Sequence, residues 1–471
     1  MKKITVGIIT LSDGREYLHT LQRDVNLRYQ SALQSRLEGA GFETVCFPEP
    51  VRSNREAQEA GKFLRQAGAE VTVFNYAIWC YPQFTAVAAQ FAPPPYVLFC
   101  NLHPSECGMV GMLAASGTLE QLGKVHFRVW GDIGDPDVYR KLLSCIRAGA
   151  AVNRLHGNTY GNFGGRAMGM YTAVADAALW QRKFGIDVEP FEQEDIVRAS
   201  ARIPQKDVTR ARVWLEHHAK QVAYNSSNFT PQKLELQIRS YLALRALIDE
   251  RGLDFIGIKS HGDLTDRFVT MDLAEAFLND CYDWNGAHEP FVAATESDMD
   301  GALTMQIFKY MTGQPVLFAD VRHYERSKDV WFFSNSGTSA TYYAAGSCNA
   351  EENLRQVSLL PETKDYPAGG GSVHYFAKAG EMTFARLARR GEEYFLTVVP
   401  ADIVQFSEKE MARLGSLATP QWPLAFAKLR VSADVFLAQY PCNHIHGVYG
   451  EWTQEWQNVA KILNIPVSIL A

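Results

Sequence analysis

Residues 291–320 read FVAAT-ESDMD-GALTMQIFKYMTG-QPVLFA-D. Two apolar, strand-like runs, 291–295 and 315–319, are each closed by a carboxylate, Glu296 and Asp320. Residues 301–313, between them, carry a helical pattern. Strand, helix and strand at this spacing predict one βαβ unit with parallel strands, so both carboxylates leave the same edge of the sheet. Ligands of open α/β sheets bind at that edge. Two acids held side by side there call for a counter-ion, and a divalent metal serves.

The alternation extends outward. Runs 4–11, 43–48, 71–79 and 96–102 are strand-like, amphipathic stretches such as 16–38 and 53–67 separate them, and prolines 93–95 mark a loop before the fourth strand. This is a doubly wound pattern with a parallel sheet. A second section, from about 156, carries charged helical stretches over 191–222 and 231–252 and returns to strands at 255–260 and 291–295. From 311 the chain is rich in aromatic and β-branched residues, with GGGS at 369–372, then a helix near 452–463 and a last strand. The expected fold class is therefore α/β: two Rossmann-like doubly wound domains over 1–155 and 156–310, followed by a β-rich C-terminal domain over 311–471.

Composition bounds the function. The chain has 471 residues, 47% hydrophobic and 12% aromatic, with a formal charge of −6. No basic stripe points to nucleic acid, and no apolar run approaches the ~20 residues of a membrane span. The opening MKKITVGIITLS reads as a first buried strand rather than a secretory leader. Eight cysteines, at 46, 80, 100, 107, 145, 281, 348 and 442, form no CxxC pair and are expected as reduced thiols in a cytoplasmic protein. No GxGxxG opens a helix, so no dinucleotide site is expected. Gly161-Asn162-Phe163-Gly164-Gly165 lacks the fingerprint spacing and fits a loop near an active site as well as a phosphate cradle. In Asn443-His444-Ile445-His446 the alternation puts both histidines on one face of an extended segment, one a ligand candidate and the other a core or rim histidine.

These motifs resemble those of the L-fucose isomerase family. The resemblance rests on Asp283-Trp284-Asn285-Gly286, Glu289-Pro290-Phe291-Val292, Ala294-Thr295-Glu296, Val316-Leu317-Phe318-Ala319-Asp320-Val321-Arg322, and Asn443-His444 with Tyr449-Gly450. Asp13-Gly14-Arg15, Trp79-Cys80-Tyr81, Tyr160 with Gly164-Gly165, and Tyr366 before Gly369-Gly370-Gly371 extend it in order along nearly the whole chain. The resemblance implies a manganese site of Glu296, Asp320 and His444, with His444 preferred over His446 because it follows an asparagine. It also implies substrate contacts at Arg15, Trp79, Tyr366 and Asn443, and a hexamer whose active sites draw on neighbouring subunits. One departure stands out: His261 follows Gly257-Ile258-Lys259-Ser260, where the family carries a glutamine after a similar run, and it becomes a candidate sugar contact. The chain also lacks the long tail of the enterobacterial enzymes.

The expected activity is Mn²⁺-dependent aldose–ketose isomerisation, of L-fucose to L-fuculose and of D-arabinose to D-ribulose, through an enediol. Glu296 and Asp320 would form the acid/base pair. Sulfoquinovose isomerisation by the same chemistry is one alternative, with His261 or Arg15 gripping a sulfonate. A non-catalytic sugar-binding protein is another, and it leaves the two acids and His444 unexplained.

Overall fold

A computed structural model describes residues 2–363 and 365–471. The chain divides into two compact units, Met1–Asn153 with Gln454–Asn464, and Arg154–Thr453 with Ile465–Ala471.

The first unit is built on a five-stranded sheet whose spatial order is Glu43–Cys46, Thr5–Thr10, Val71–Tyr76, Tyr96–Cys100 and His126–Trp130, all parallel. Four of these strands lie in the apolar runs of the sequence; His126–Trp130 has too short a run to read. Every residue of Thr5–Thr10, Val71–Tyr76 and Tyr96–Cys100 is buried, as central strands covered on both faces require. Helices Glu16–Gly39 and Asn54–Gln66 begin and end within a residue of the expected bounds. Helix Thr453–Leu463 completes this unit: the Asn458 amide donates to Ser144 Oγ at 2.9 Å and Lys461 Nζ donates to the His126 carbonyl at 2.7 Å.

The second unit holds a four-stranded parallel sheet in the order Ala293–Thr295, Phe255–Ile258, Thr159–Phe163, Asp187–Phe191. It also holds a seven-stranded, mainly antiparallel sheet in the order Gly380–Arg390, His444–Tyr449, Leu317–Glu325, Val330–Ser334, Leu424–Leu429, Glu393–Ile403, Val467–Ile469. The architecture is thus two doubly wound α/β portions followed by a β-rich C-terminal region, as the pattern predicted. Among the described residues no helix is long and apolar enough to cross a membrane.

Two expectations are corrected. Ala293–Thr295 and the strand carrying Asp320 do not form one parallel βαβ unit. The first pairs in parallel with Phe255–Ile258, whereas Leu317–Glu325 lies in the other sheet, antiparallel to both Val330–Ser334 and His444–Tyr449. The helix between them, Met299–Thr312, crosses from one sheet to the other instead of returning to the first. It packs on Phe255–Ile258 and Ala293–Thr295 and also on Gly380–Arg390 and His444–Tyr449. A helix lying between two sheets is buried all round, and Met299 through Lys309 are all buried, with Asp300 paired to Arg389 and Tyr394. Asp298 caps its N-terminus, accepting from Gly301 N at 2.9 Å, and Gly313 ends it at φ +71°. The second correction concerns the cysteines. Cys281 and Cys348 are joined as a disulfide, with Cα atoms 5.7 Å apart, so the reading of all eight as reduced thiols fails for this pair. The two lie 67 residues apart, and no sequence spacing signals the pairing.

Candidate active site

Asp320 and His444 meet through strand register. They stand directly opposite each other in the antiparallel pair Leu317–Glu325/His444–Tyr449, which puts their side chains on one face. Glu296 arrives from the other sheet, at the C-terminal end of strand Ala293–Thr295. Its backbone is left-handed (φ +56°), as are Ser297 (+53°) and Ser260 (+60°) at the end of the adjacent strand. Such conformations cost about 1–3 kcal/mol each in non-glycine residues and persist only where surrounding contacts enforce them. Here Ser297 N donates to the Ile258 carbonyl at 3.0 Å and Ser297 Oγ to Asn162 Oδ1 at 2.6 Å. The turn that aims Glu296 is therefore held from the adjacent strand Phe255–Ile258 and from the next one, Thr159–Phe163.

The three side chains converge. His444 Nε2 lies 3.0 Å from Glu296 Oε2 and 3.5 Å from Asp320 Oδ1. This nitrogen is buried and has no hydrogen-bond partner. The other ring nitrogen is fully committed, Nδ1 standing 2.6 Å from Asp298 Oδ2. Asp298, wholly buried, also receives Arg386 in a bidentate pair, Nη1 to Oδ2 at 2.6 Å and Nη2 to Oδ1 at 3.0 Å. Burial opposes ionisation of Asp298, but Arg386 and His444 outweigh it and hold its carboxyl well below the usual range. Burial likewise opposes a charged His444, yet Asp298 and Glu296 lift its imidazole well above the ordinary value. Burial raises the Asp320 carboxyl, partly relieved by His444. Carboxylates converging on one buried imidazole nitrogen concentrate negative charge there, the electrostatic profile of a cation site.

Of the other anticipated residues, Asn443 donates to Asp320 Oδ1 at 3.2 Å. His261 Nε2 is 3.8 Å from Glu296 Oε1, and its ring sits 5.6 Å from that of Tyr366. The Tyr366 hydroxyl pairs with Ser336 Oγ at 2.8 Å. These three therefore join the cluster. Arg15 and Trp79 belong to the first unit. There Arg15 begins helix Glu16–Gly39 and is bound by Asp13 (Nη2 to Oδ2 at 2.7 Å), and Trp79 follows strand Val71–Tyr76, partly buried. His446 lies two residues from His444 on the same strand face, buried against Phe318 and 3.0 Å from Arg386 Nη1. Burial and Arg386 push it well below its ordinary value, which marks it as the core member of the pair.

Sequence reasoning missed Asp298, Arg386 and Trp422, whose ring meets that of Tyr366 edge-on at 6.3 Å. Asp298 was detectable as a helix cap, an acid just before a helical run. Its second role, binding a guanidinium 88 residues away, carries no local signal. Asp298, Cys442 and His444 also offer ligand atoms within 4.8 Å of one another. A dication fits that side poorly. Asp298 Oδ2 already takes both Arg386 and His444 Nδ1, and the guanidinium repels a second cation. The Nε2 side, where Glu296 and Asp320 approach the imidazole, presents the mixed carboxylate and imidazole donors that a divalent ion takes. From the other side Asp298 fixes the orientation of the His444 ring, as a carboxylate behind a liganding imidazole would.

Three family models match the chain: L-fucose isomerase, first N-terminal domain, over residues 3–157; second N-terminal domain, over 252–313; and C-terminal domain, over 333–471. The chain belongs to the L-fucose isomerase family. Relatives agree over the full length. The L-fucose isomerase of Vibrio vulnificus is 25% identical across 99% of this chain and 93% of its own. That of Streptococcus pneumoniae is 24% identical across 98% and 92%, and that of Klebsiella pneumoniae 25% across 99% and 93%. Glu296 and His444 fall within segments that the family models cover, and Asp320 lies between the second and third.

Proposed function

We propose that this L-fucose isomerase family member is a divalent-metal-dependent aldose–ketose isomerase, converting L-fucose to L-fuculose and D-arabinose to D-ribulose. The observation that carries the reading is the convergence of Glu296 and Asp320 on the buried Nε2 of His444, at 3.0 and 3.5 Å. Those three side chains would hold the ion, and a mixed carboxylate/imidazole set with open positions suits Mn²⁺. A bound ion of this kind supplies Lewis-acid polarisation at the sugar carbonyl.

The rest of the chemistry belongs to the chain. An aldose becomes a ketose by moving one proton between C1 and C2 and another between O1 and O2, through an enediol. Glu296 and Asp320 are the acid/base pair. Each has one oxygen toward His444 and a second toward other groups, His261 for Glu296 and Asn335 and Arg322 for Asp320. Positioned proton transfer of this sort typically contributes ~10²–10⁴-fold. Asn443 orients Asp320, while Tyr366 and His261 wall the pocket. Sugar C–H faces pack on aromatic rings as the hydroxyls take directed hydrogen bonds.

The test is an aldose panel (L-fucose, D-arabinose, L-arabinose, sulfoquinovose) followed by ketose formation. Activity is expected on L-fucose, to vanish in chelator and to return best with Mn²⁺. Full turnover in chelator would refute the metal-dependent reading, and turnover of sulfoquinovose alone would replace the substrate.

A further inference from the structure

After strand Val330–Ser334 the chain runs Asn335-Ser336-Gly337-Thr338-Ser339 to the short 3₁₀ turn Thr341–Ala344, and this loop is buried throughout. Connecting segments ordinarily run over the surface, because a buried loop has to satisfy the polar groups it carries. Here those groups go to the two strands that bear the acids of the site. Toward the Asp320 strand, Asn335 Nδ2 donates to Asp320 Oδ2 at 3.1 Å and Ser339 Oγ donates to the Phe318 carbonyl at 2.9 Å. Toward the other strand, Thr338 Oγ1 accepts from the backbone N–H of Thr295, the residue before Glu296, at 2.9 Å. The loop is fixed internally as well: Gly337 N donates to Asn335 Oδ1 at 3.2 Å, and Thr338 is left-handed at φ +48°. Position 337 has no room for a side chain, since a Cβ there would run into the Glu275 carboxyl group, with Thr295 Oγ1 3.2 Å away.

We propose that Asn335–Ser339 is a strap that fixes the separation of Glu296 and Asp320, with Asn335 and Thr338 as its positioning residues. The two acids stand on different sheets, so neither sheet's own hydrogen-bond ladder sets the distance between them. One short loop bonded to both strands does. Thr338 holds the strand end from which Glu296 projects, and Asn335 decides where Asp320 points. Asp320 Oδ1 takes the Asn443 amide at 3.2 Å and faces His444 Nε2 at 3.5 Å. Its Oδ2 lies between the Asn335 amide and Arg322 Nη1, which is 3.7 Å away. The guanidinium attracts the carboxylate toward itself, and the Asn335 amide counters that pull. Neither strap residue has to touch the sugar.

The kinetic consequence of the strap rests on the sugar-isomerase reading; its structural consequence does not. Asn335→Ala removes the amide that binds Asp320 and the acceptor of Gly337 N together. A crystal structure of the variant is expected to show the carboxylate turned toward Arg322, with Asp320 Oδ1 more than about 0.5 Å farther from His444 Nε2, beyond the tolerance of a working site. An Asp320 in its original place would overturn the strap, whether or not the chain isomerises any sugar. With Mn²⁺ in excess, kcat on L-fucose is expected to fall about 10–100-fold with KM within about threefold, and Mn²⁺ affinity measured by calorimetry to weaken about tenfold. A variant that only melts earlier, with the kcat and Mn²⁺ affinity of the wild type, would overturn the positioning role. A wild type inert on every aldose would overturn the isomerase reading instead, and the strap is then judged by the Asp320–His444 distance.

Thr338 supplies a second pair of variants, which decides the matter should Asn335→Ala not fold. Thr338→Val keeps the branched shape and loses the hydroxyl that accepts from Thr295 N, whereas Thr338→Ser keeps the hydroxyl. The first is expected to lower kcat about tenfold and the second to recover it to within about twofold of the wild type. Equal rates in the two variants would overturn the proposal.

Discussion

Glu296→Gln is expected to abolish exchange of the sugar's C2 proton with solvent and to leave the fold intact. The amide is isosteric, so the left-handed turn at 296–297 and the contacts of Ser297 survive. The substitution removes a negative ligand and a proton acceptor together. Loss of the acid/base contribution alone accounts for ~10²–10⁴-fold, and weaker metal retention adds to it. The measurement is ²H incorporation at C2 in D₂O, followed by NMR with Mn²⁺ in excess, beside a melting curve. Wild-type exchange in the variant would show that the carbon-bound proton goes elsewhere. Asp320→Asn is the matching control, since it stands on the other sheet and shares the same imidazole.

The second large effect is expected at Arg386, which contacts no sugar in this reading. Arg386→Met leaves Asp298 as a buried, wholly unexposed charge with only His444 to answer it. Removing one partner of a buried ion pair costs about 3–5 kcal/mol, more than replacing both. Denaturant unfolding is expected to show a loss of that order for Arg386→Met, and a smaller loss for the double variant Asp298→Asn/Arg386→Met. A single variant within about 1 kcal/mol of wild type would mean that the network is not what holds His444. The pair also predicts an acid limit. Because the Asp298 carboxyl is depressed in the folded state, its stabilisation is complete above the ordinary carboxylate range of about 4 and is lost as pH falls below it. Asp298→Asn should flatten that limb and weaken metal binding about 10–100-fold, the usual consequence of freeing a liganding imidazole.

Much of the architecture was legible because it is local. Strands 5–10, 71–76 and 96–100 announce themselves as apolar runs, and the flanking helices by their period. The βαβ reading of 291–320 failed for a reason of the same kind. Each run was correctly seen as a buried strand and 301–313 as a helix, yet hydrophobicity reports burial and not partner. The buried start of strand Leu317–Glu325, Leu317–Ala319, pairs with residues more than a hundred positions away, and no local spacing distinguishes that from a parallel return. The same limit hid Trp422, whose indole meets Glu362 across 60 residues.

By itself, the sequence determined the α/β class, the strand-end position of Glu296, the shared face of His444 and His446, and the resemblance that named the three side chains; Asp320, expected to close its strand, lies inside Leu317–Glu325. Those properties follow from side-chain period and residue type, which neighbouring residues carry. The tertiary structure alone decided that the two carboxylates reach one imidazole from different sheets, and that Asp298 and Arg386 fix that imidazole. Each of these depends on register between distant segments and on burial that leaves a charge or a donor one place to go, and neither is written in any stretch of chain read alone.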